Sequence, residues 1–262
     1  MNSVPTKFDR LDMNRLITFT QQAFQKAGTN ERDASLMAKL LVETDLRGVF
    51  SHGTRQLDGY IQMMIDQKVN PRPNIQIEVS GQTTAVFDGD GGMGHLPSYQ
   101  AAQFVVEAAK SSGIAGAVTR NHFHFGAAGK YSRLALEQDC IGFATSAHRF
   151  RPSKDHSILS ASGASPISFA IPAGKQPPIV VDMGAYLGGS GELSQDQLFK
   201  YIPATFFKFI GLGAAAHMMG GFMAGIWRSD PEVNQNAWEG ANQGAFIFAI
   251  DISRFRDLEH FK

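Results

Sequence analysis

The chain has 262 residues, long enough for one large domain or two lobes around a sizeable core. Its 24 basic and 24 acidic residues cancel, which removes any broad electrostatic case for nucleic acid or an anionic membrane and points to a small-molecule partner. A single cysteine, Cys140, excludes an internal disulfide framework, and MNSVPTKFDRLDMNRL carries no apolar signal-peptide core, so a cytoplasmic location is the expectation.

Apolar residues at helical spacing predict a helix over Phe8 to Ala27 and a second over Glu31 to Arg47, broken at Gly28 and Asn30. A third is expected from about Gly53 to Gln67, before Pro71 and Pro73. Strand signals follow at Ile75 to Val79 and Thr84 to Asp88, then a helix over Ser98 to Ser111 and a strand over Ile114 to Thr119. Next come a helix over Ala127 to Gln138 and strands at Ile141 to Ser146, Pro166 to Ile171, Ile179 to Asp182 and Ala245 to Asp251. Phe209 to Trp227 is apolar enough to raise a membrane span, yet His217 interrupts it and no basic flank accompanies it. The preferred reading is a small-residue helix packed in a core, with no membrane contact. The whole is an α/β chain with a helical N-terminal lobe over residues 1–74 and an α/β lobe over 75–262.

The stretch DLRGVFSHGTRQLDGY sets His52, in a Ser51-His52-Gly53 tripeptide, between Arg47 and Arg55. Imidazole gives and takes a proton near neutrality, and guanidinium binds a carboxylate through two parallel hydrogen bonds. An enzyme acting on a small carboxylic acid needs both, although a histidine in a connecting turn with solvated arginines is the plainer alternative. Either Arg47 or Arg55 could be the carboxylate clamp on these residues alone.

Two other motifs compete. Gly89-Asp90-Gly91-Gly92-Met93-Gly94 is a literal G-x-G-x-x-G between a predicted strand and a predicted helix, the place of a dinucleotide fingerprint. The acidic residue that should end the next strand is missing, with Arg120 and Asn121 there instead, and glycines serve any tight turn. His122 and His124, two apart on an extended segment, can point one way toward a metal, as in a metal-dependent hydrolase. No third and fourth ligand is evident, since His148 and His156 fall in a polar loop and Asp182 is the one plausible carboxylate. No metal is therefore expected.

Taken in order, DLRGVFSHGTRQLDGY, GDGGMGH, RNHFHFGAAGKYSRLALEQDCIGFATS, SPISFAIP, PPIVVDMG and AFIFAIDISRF resemble the type-2 malate/L-lactate dehydrogenases over most of residues 10 to 256. The resemblance implies that family's non-Rossmann α/β fold, an NAD or NADP cofactor, a homodimer, and hydride exchange with a small 2-oxo/2-hydroxy acid or cyclic imino acid. It turns the G-x-G-x-x-G into a structural turn and makes 75–262 the cofactor-binding lobe. It places the proton donor on His52 and lines the substrate cleft with Ser51, Arg55 and His124. The cofactor is expected to meet the strand end Ile179, Val181, Asp182, Met183 and Gly184, together with Lys208. Asp182 would touch the cofactor or orient His52. The connection from Met183 to Phe207 and the part after Phe255 are shorter than the family's, which keeps a non-catalytic or decayed homologue, acting as a binding or structural protein, as the second hypothesis.

Overall fold

The computed structural model describes residues 6–79, 81–149, 165–185, 195–226, 238 and 240–261. Two helices come first, α1 (Met13–Lys26) and α2 (Glu31–Leu46), each opened by a side chain that accepts a backbone N–H: Asp12 from Arg15 and Asn30 from Asp33. The expected third helix starts four residues late. Phe50–His52 and Thr54–Gln56 form two short 3-10 turns, and α3 runs only from Leu57 to Ile65. The difference has a local cause: Gly53, at φ −97 and ψ −146, breaks the helical path between the turns.

A mixed seven-stranded sheet follows, in the order β1 (Gln76–Val79), β2 (Thr84–Asp88), β3 (Ile114–His122), β7 (Gln243–Asp251), β4 (Cys140–His148), β5 (Pro166–Ile171) and β6 (Ile179–Gly184). Only β2 and β3 run parallel, joined across α4 (His95–Ser112), a connection that parallel strands require. Helix α4 starts three residues before the expected Ser98, because Pro97 is tolerated in a first turn. The expected helix over Ala127 to Gln138 is a single α-turn, α5 (Gly129–Ser132), then a 3-10 stretch over Arg133–Gln138. This segment lies hard against β4: a β-carbon on Gly142 would fall 2.1 Å from the Ser132 carbonyl oxygen.

Two cores flank the sheet's functional edge. Phe87, Val105, Phe125, Tyr131, Cys140 and Ile247 fill one, between α4 and the strands. Phe24, Met37, Leu41, Met64, Leu96 and Phe123 fill the other, which ties the N-terminal helices to the start of α4 and the loop after β3. The strand register then gathers ends. His122 and His148 both pair with Gln243, Thr145 pairs with Ile167, and Pro166 pairs with Gly184. The C-terminal ends of β3, β4 and β6 and the first residues of β5 and β7 therefore share one edge.

The glycine-rich turn packs on protein. A β-carbon at Gly89 would come within 2.8 Å of the His122 β-carbon, and one at Gly94 within 2.5 Å of His122 Nδ1 and 2.6 Å of the Phe123 carbonyl oxygen. Gly91 holds φ at +69, where glycine carries no steric cost. The motif is a structural turn. The chain then passes through α6 (Gln195–Tyr201), which sequence did not suggest, and α7 (Pro203–His217), which begins with Pro203 in its first turn and continues as a π-turn over Met218–Phe222. No helix among the described residues is long and apolar enough to cross a membrane. A last turn, α8 (Leu258–Phe261), closes the described chain.

Candidate active site

The gathered strand ends and the first 3-10 turn enclose a cleft of about 970 Å³. His52, Ser51 and His124 line it, with Asp182, Met183 and Gly184 on the far wall. His52 is held by its own turn: Ser51 Oγ lies 2.8 Å from Nδ1, and the Ser51 carbonyl accepts from Gln56 Nε2 at 2.7 Å. The turn is fixed from below by Asp45 at the end of α2, whose Oδ2 accepts from the Thr54 backbone N–H at 3.0 Å and from the Thr54 hydroxyl. Burial and then the nearby Lys130 charge push the His52 pKa down.

His124 leaves β3 on the loop that follows it, because Asn121, in the left-handed region at φ 54, turns the chain there. Its ring lies 5.5 Å from that of His52, centre to centre. Tyr60 of α3 hydrogen-bonds His124 Nδ1. Burial raises the phenol's pKa and lowers that of His124 to about 4, so near neutrality the bond joins a neutral phenol to a neutral imidazole. His122, the other member of the pair, turns inward instead, with Nε2 2.8 Å from Thr119 Oγ1 and Nδ1 2.7 Å from the Phe123 carbonyl. The two do not converge on a metal. Among the described residues no three His, Cys, Asp or Glu side chains gather as ligands, and His156 lies outside those residues.

Asp182 packs on α5. A β-carbon on Gly129 would fall 2.5 Å from Asp182 Oδ2, so glycine makes room for the carboxylate, and the Gly129 backbone N–H donates to it. Desolvation raises the carboxyl's pKa against the opposing pull of that hydrogen bond and of Arg133 and Lys130. Asp182 therefore faces the cleft's cations, while the hydrogen-bond partner of His52 Nδ1 is Ser51.

Other expected residues lie elsewhere. Arg55 is exposed and absent from the cleft wall, where the arginines are Arg47 and Arg133. Lys208, on α7, is exposed and outside the cleft, as are Ile179 and Val181, which are 60% and 42% exposed on the outer strand β6. Sequence reading passed over Lys130, Tyr60, His95 and Asp45. Lys130, only 6% exposed, reaches from α5 to donate to the His52 carbonyl at 3.1 Å and lies 3.1 Å from His95 Nε2. Burial lowers its pKa to about 7, opposed by Asp182 and Asp45. The available signal was composition: a lysine among small and aromatic residues, AAGKYS.

A mixed sheet whose strand ends enclose a histidine-lined cleft makes an α/β fold with a site suited to acid–base chemistry, and comparison with known proteins says which family it belongs to. A family profile described as malate/L-lactate dehydrogenase matches residues 11–197. Malate dehydrogenase from Pyrococcus horikoshii is 29% identical, over 99% of this chain and 81% of the relative. Its solved structure superposes with a TM-score of 0.81, at 28% identity over 99% of this chain and 80% of that one. The sulfolactate dehydrogenase structure from Methanocaldococcus jannaschii superposes with a TM-score of 0.75, 26% identical over 96% of this chain and 80% of its own. The chain belongs to the malate/L-lactate dehydrogenase family and is an oxidoreductase of 2-hydroxy acids. Its shorter length agrees with the four-fifths coverage of these relatives.

Proposed function

We infer that the cleft carries out NAD(P)-dependent interconversion of a small 2-hydroxy acid and its 2-oxo acid, with His52 holding the mobile proton. The reading extends to cyclic imino acids, in which nitrogen takes the place of the carbonyl oxygen. The observation that carries it is the convergence of His52 and His124 with Arg133 and Arg47 in one cleft.

A nicotinamide cofactor suits the residues present. The cleft volume, about 970 Å³, lies at the upper end of what small-molecule sites occupy, more room than a small acid needs. Ser165 Oγ is buried at its wall with no hydrogen-bond partner, an atom whose desolvation a ligand would offset. Asp182, Met183 and Gly184 with Ser165 would hold the cofactor, which when bound accepts or supplies the hydride. Arg133, with Arg47 beside it, takes the substrate carboxylate. With Tyr60 donating to Nδ1, His124 offers its Nε2 proton to the oxygen on C2. His52 moves the proton that accompanies hydride transfer, a step typically worth 10²- to 10⁴-fold.

A panel of 2-oxo acids and cyclic imines, followed by loss of reduced-nicotinamide absorbance with NADH and with NADPH, tests this reading and identifies substrate and cofactor together. His52→Ala should cut turnover by at least about 10²-fold. Wild-type-like turnover in that variant removes His52 from the mechanism.

The chain is further proposed to work as a homodimer. Apolar side chains on outer strand β6 and on the α7 to π-turn segment are exposed: Ile179, Val181, Phe207 and Met218 are each at least 42% exposed. Twofold dimers are the commonest closed assembly.

A further inference from the structure

Lys130 is a buried titratable group that His52 chemistry leaves unused. Its ammonium nitrogen has three bonding positions besides the carbon, and two are occupied, by the His52 carbonyl and by His95 Nε2, each at 3.1 Å. The residue nonetheless lines the cleft. Space for a ligand to reach it depends on Gly126, at φ +83, where a β-carbon would lie 2.9 Å from Nζ. We propose that Lys130 is a second acid–base residue of the site, sharing with His52 the one proton that leaves or joins the oxygen on C2 of the substrate.

This rests on the oxidoreductase reading above. In the oxidation direction the alcohol O–H bond breaks and its one proton is taken up by the base that His52 and the neutral amine form together; the C2–H bond breaks and its hydrogen would leave as hydride to an oxidised nicotinamide; the C–O bond becomes C=O. Reduction reverses each change. An amine serves both directions only if it is neutral for part of the working pH range, and burial brings Lys130 to about 7. The groups facing it set that balance. Asp45 and Arg47 come from α2 and its end, His52 from the turn, His95 from α4, His124 from the loop after β3, and Asp182 from β6. Protonated Lys130 in turn depresses His52, His95 and His124, so a proton gained by the lysine is one withheld from the histidines.

Two measurements test the proposal. The first needs no substrate: the rate of lysine acylation against pH in the cofactor-free protein, read peptide by peptide. Lys130 should gain reactivity around pH 7, and a curve that rises only toward the ordinary lysine value of 10.5 would overturn the proposal. The second is kinetic. Lys130→Met should lose at least about 10²-fold in turnover, and Lys130→Arg, which keeps the charge but does not release a proton near neutrality, should lose as much. Lys130→Cys alkylated to the aminoethyl thioether, an amine less basic than lysine, should recover turnover with the pH profile moved to the acid side. Cys140, fully buried with its thiol pushed up to about 11, escapes that reagent. Full activity in folded Lys130→Arg, or recovery with an unmoved profile, reduces Lys130 to a fixed charge and overturns the proposal. Wild-type protein inert toward every 2-hydroxy acid would overturn the reading it rests on, whereas an active wild type with an equally active Lys130→Met overturns this proposal alone.

Discussion

A β-carbon on Gly53 would fall 1.8 Å from Oδ1 of Asp45, so the residue after His52 sits directly on the carboxylate that bonds Thr54. The absence of a side chain at 53 and the presence of a short carboxylate at 45 are one device, and it fixes where His52 stands.

Gly53→Ala should therefore destabilise the turn sharply, and Asp45→Ala should free Thr54 at a cost of about 1.5 to 3 kcal/mol, the range for hydrogen bonds to a charged acceptor. Combined, the two substitutions should cost clearly less than their sum, because removing the carboxylate removes the clash. Chemical denaturation of the four proteins measures the coupling. Strict additivity would mean that the two residues do not press on each other.

Arg133→Lys should raise KM for the acid roughly tenfold, since an ammonium replaces a two-point fork with one point and charge-assisted bonds are worth about 1.5 to 3 kcal/mol. Arg55→Lys should leave it unchanged, because Arg55 is exposed and away from the cleft. The reverse result would restore Arg55 as the clamp.

Acid should weaken the fold in a defined window. His122 and His124 have pKa values lowered by burial from 6.5 to about 4. Between those values the unfolded chain binds protons that the folded chain refuses, so stability falls as pH drops from 6.5 toward 4. Lys130 acts in the same sense at higher pH: lowered from 10.5 to about 7, it costs most below 7 and progressively less as pH rises to 10.5. Lys130→Met should thus exceed wild type in Tm below pH 7 and lose that advantage in alkali. Parallel melting curves at all pH values would contradict this.

Light scattering at micromolar concentration should give a mass near twice 28.5 kDa. A mass near 28.5 kDa with activity retained would rule out the dimer.

Sequence made the framework legible because it is written in short-range patterns. The predicted strands Thr84 to Asp88 and Pro166 to Ile171 match β2 and β5, whose bounds follow from alternating or continuous apolar runs between turn residues. The SHG tripeptide flagged His52 by chemistry, and the family resemblance added Ser51 and His124. What stayed hidden depends on direction and distance along the chain. Arg47 and Arg55 flank His52 almost symmetrically in sequence, and only the paired 3-10 turns decide that Arg47 borders the cleft while Arg55 points to solvent. The contact of Lys130 with His52 spans 78 residues and that with His95 spans 35, so no local window records either. The G-x-G-x-x-G misleads for the opposite reason: its spacing is local and correct, but its glycines yield room to His122 and Pro73.

The most direct test is isotopic. Reduced nicotinamide carrying deuterium at C4, mixed with the best 2-oxo acid from the panel, should deliver that deuterium to C2 of the hydroxy acid, as read by mass spectrometry. Transfer should fall at least about 10²-fold in His52→Ala. Product that takes its C2 hydrogen from solvent, or no product from any acid with either cofactor, would contradict hydride transfer in this cleft.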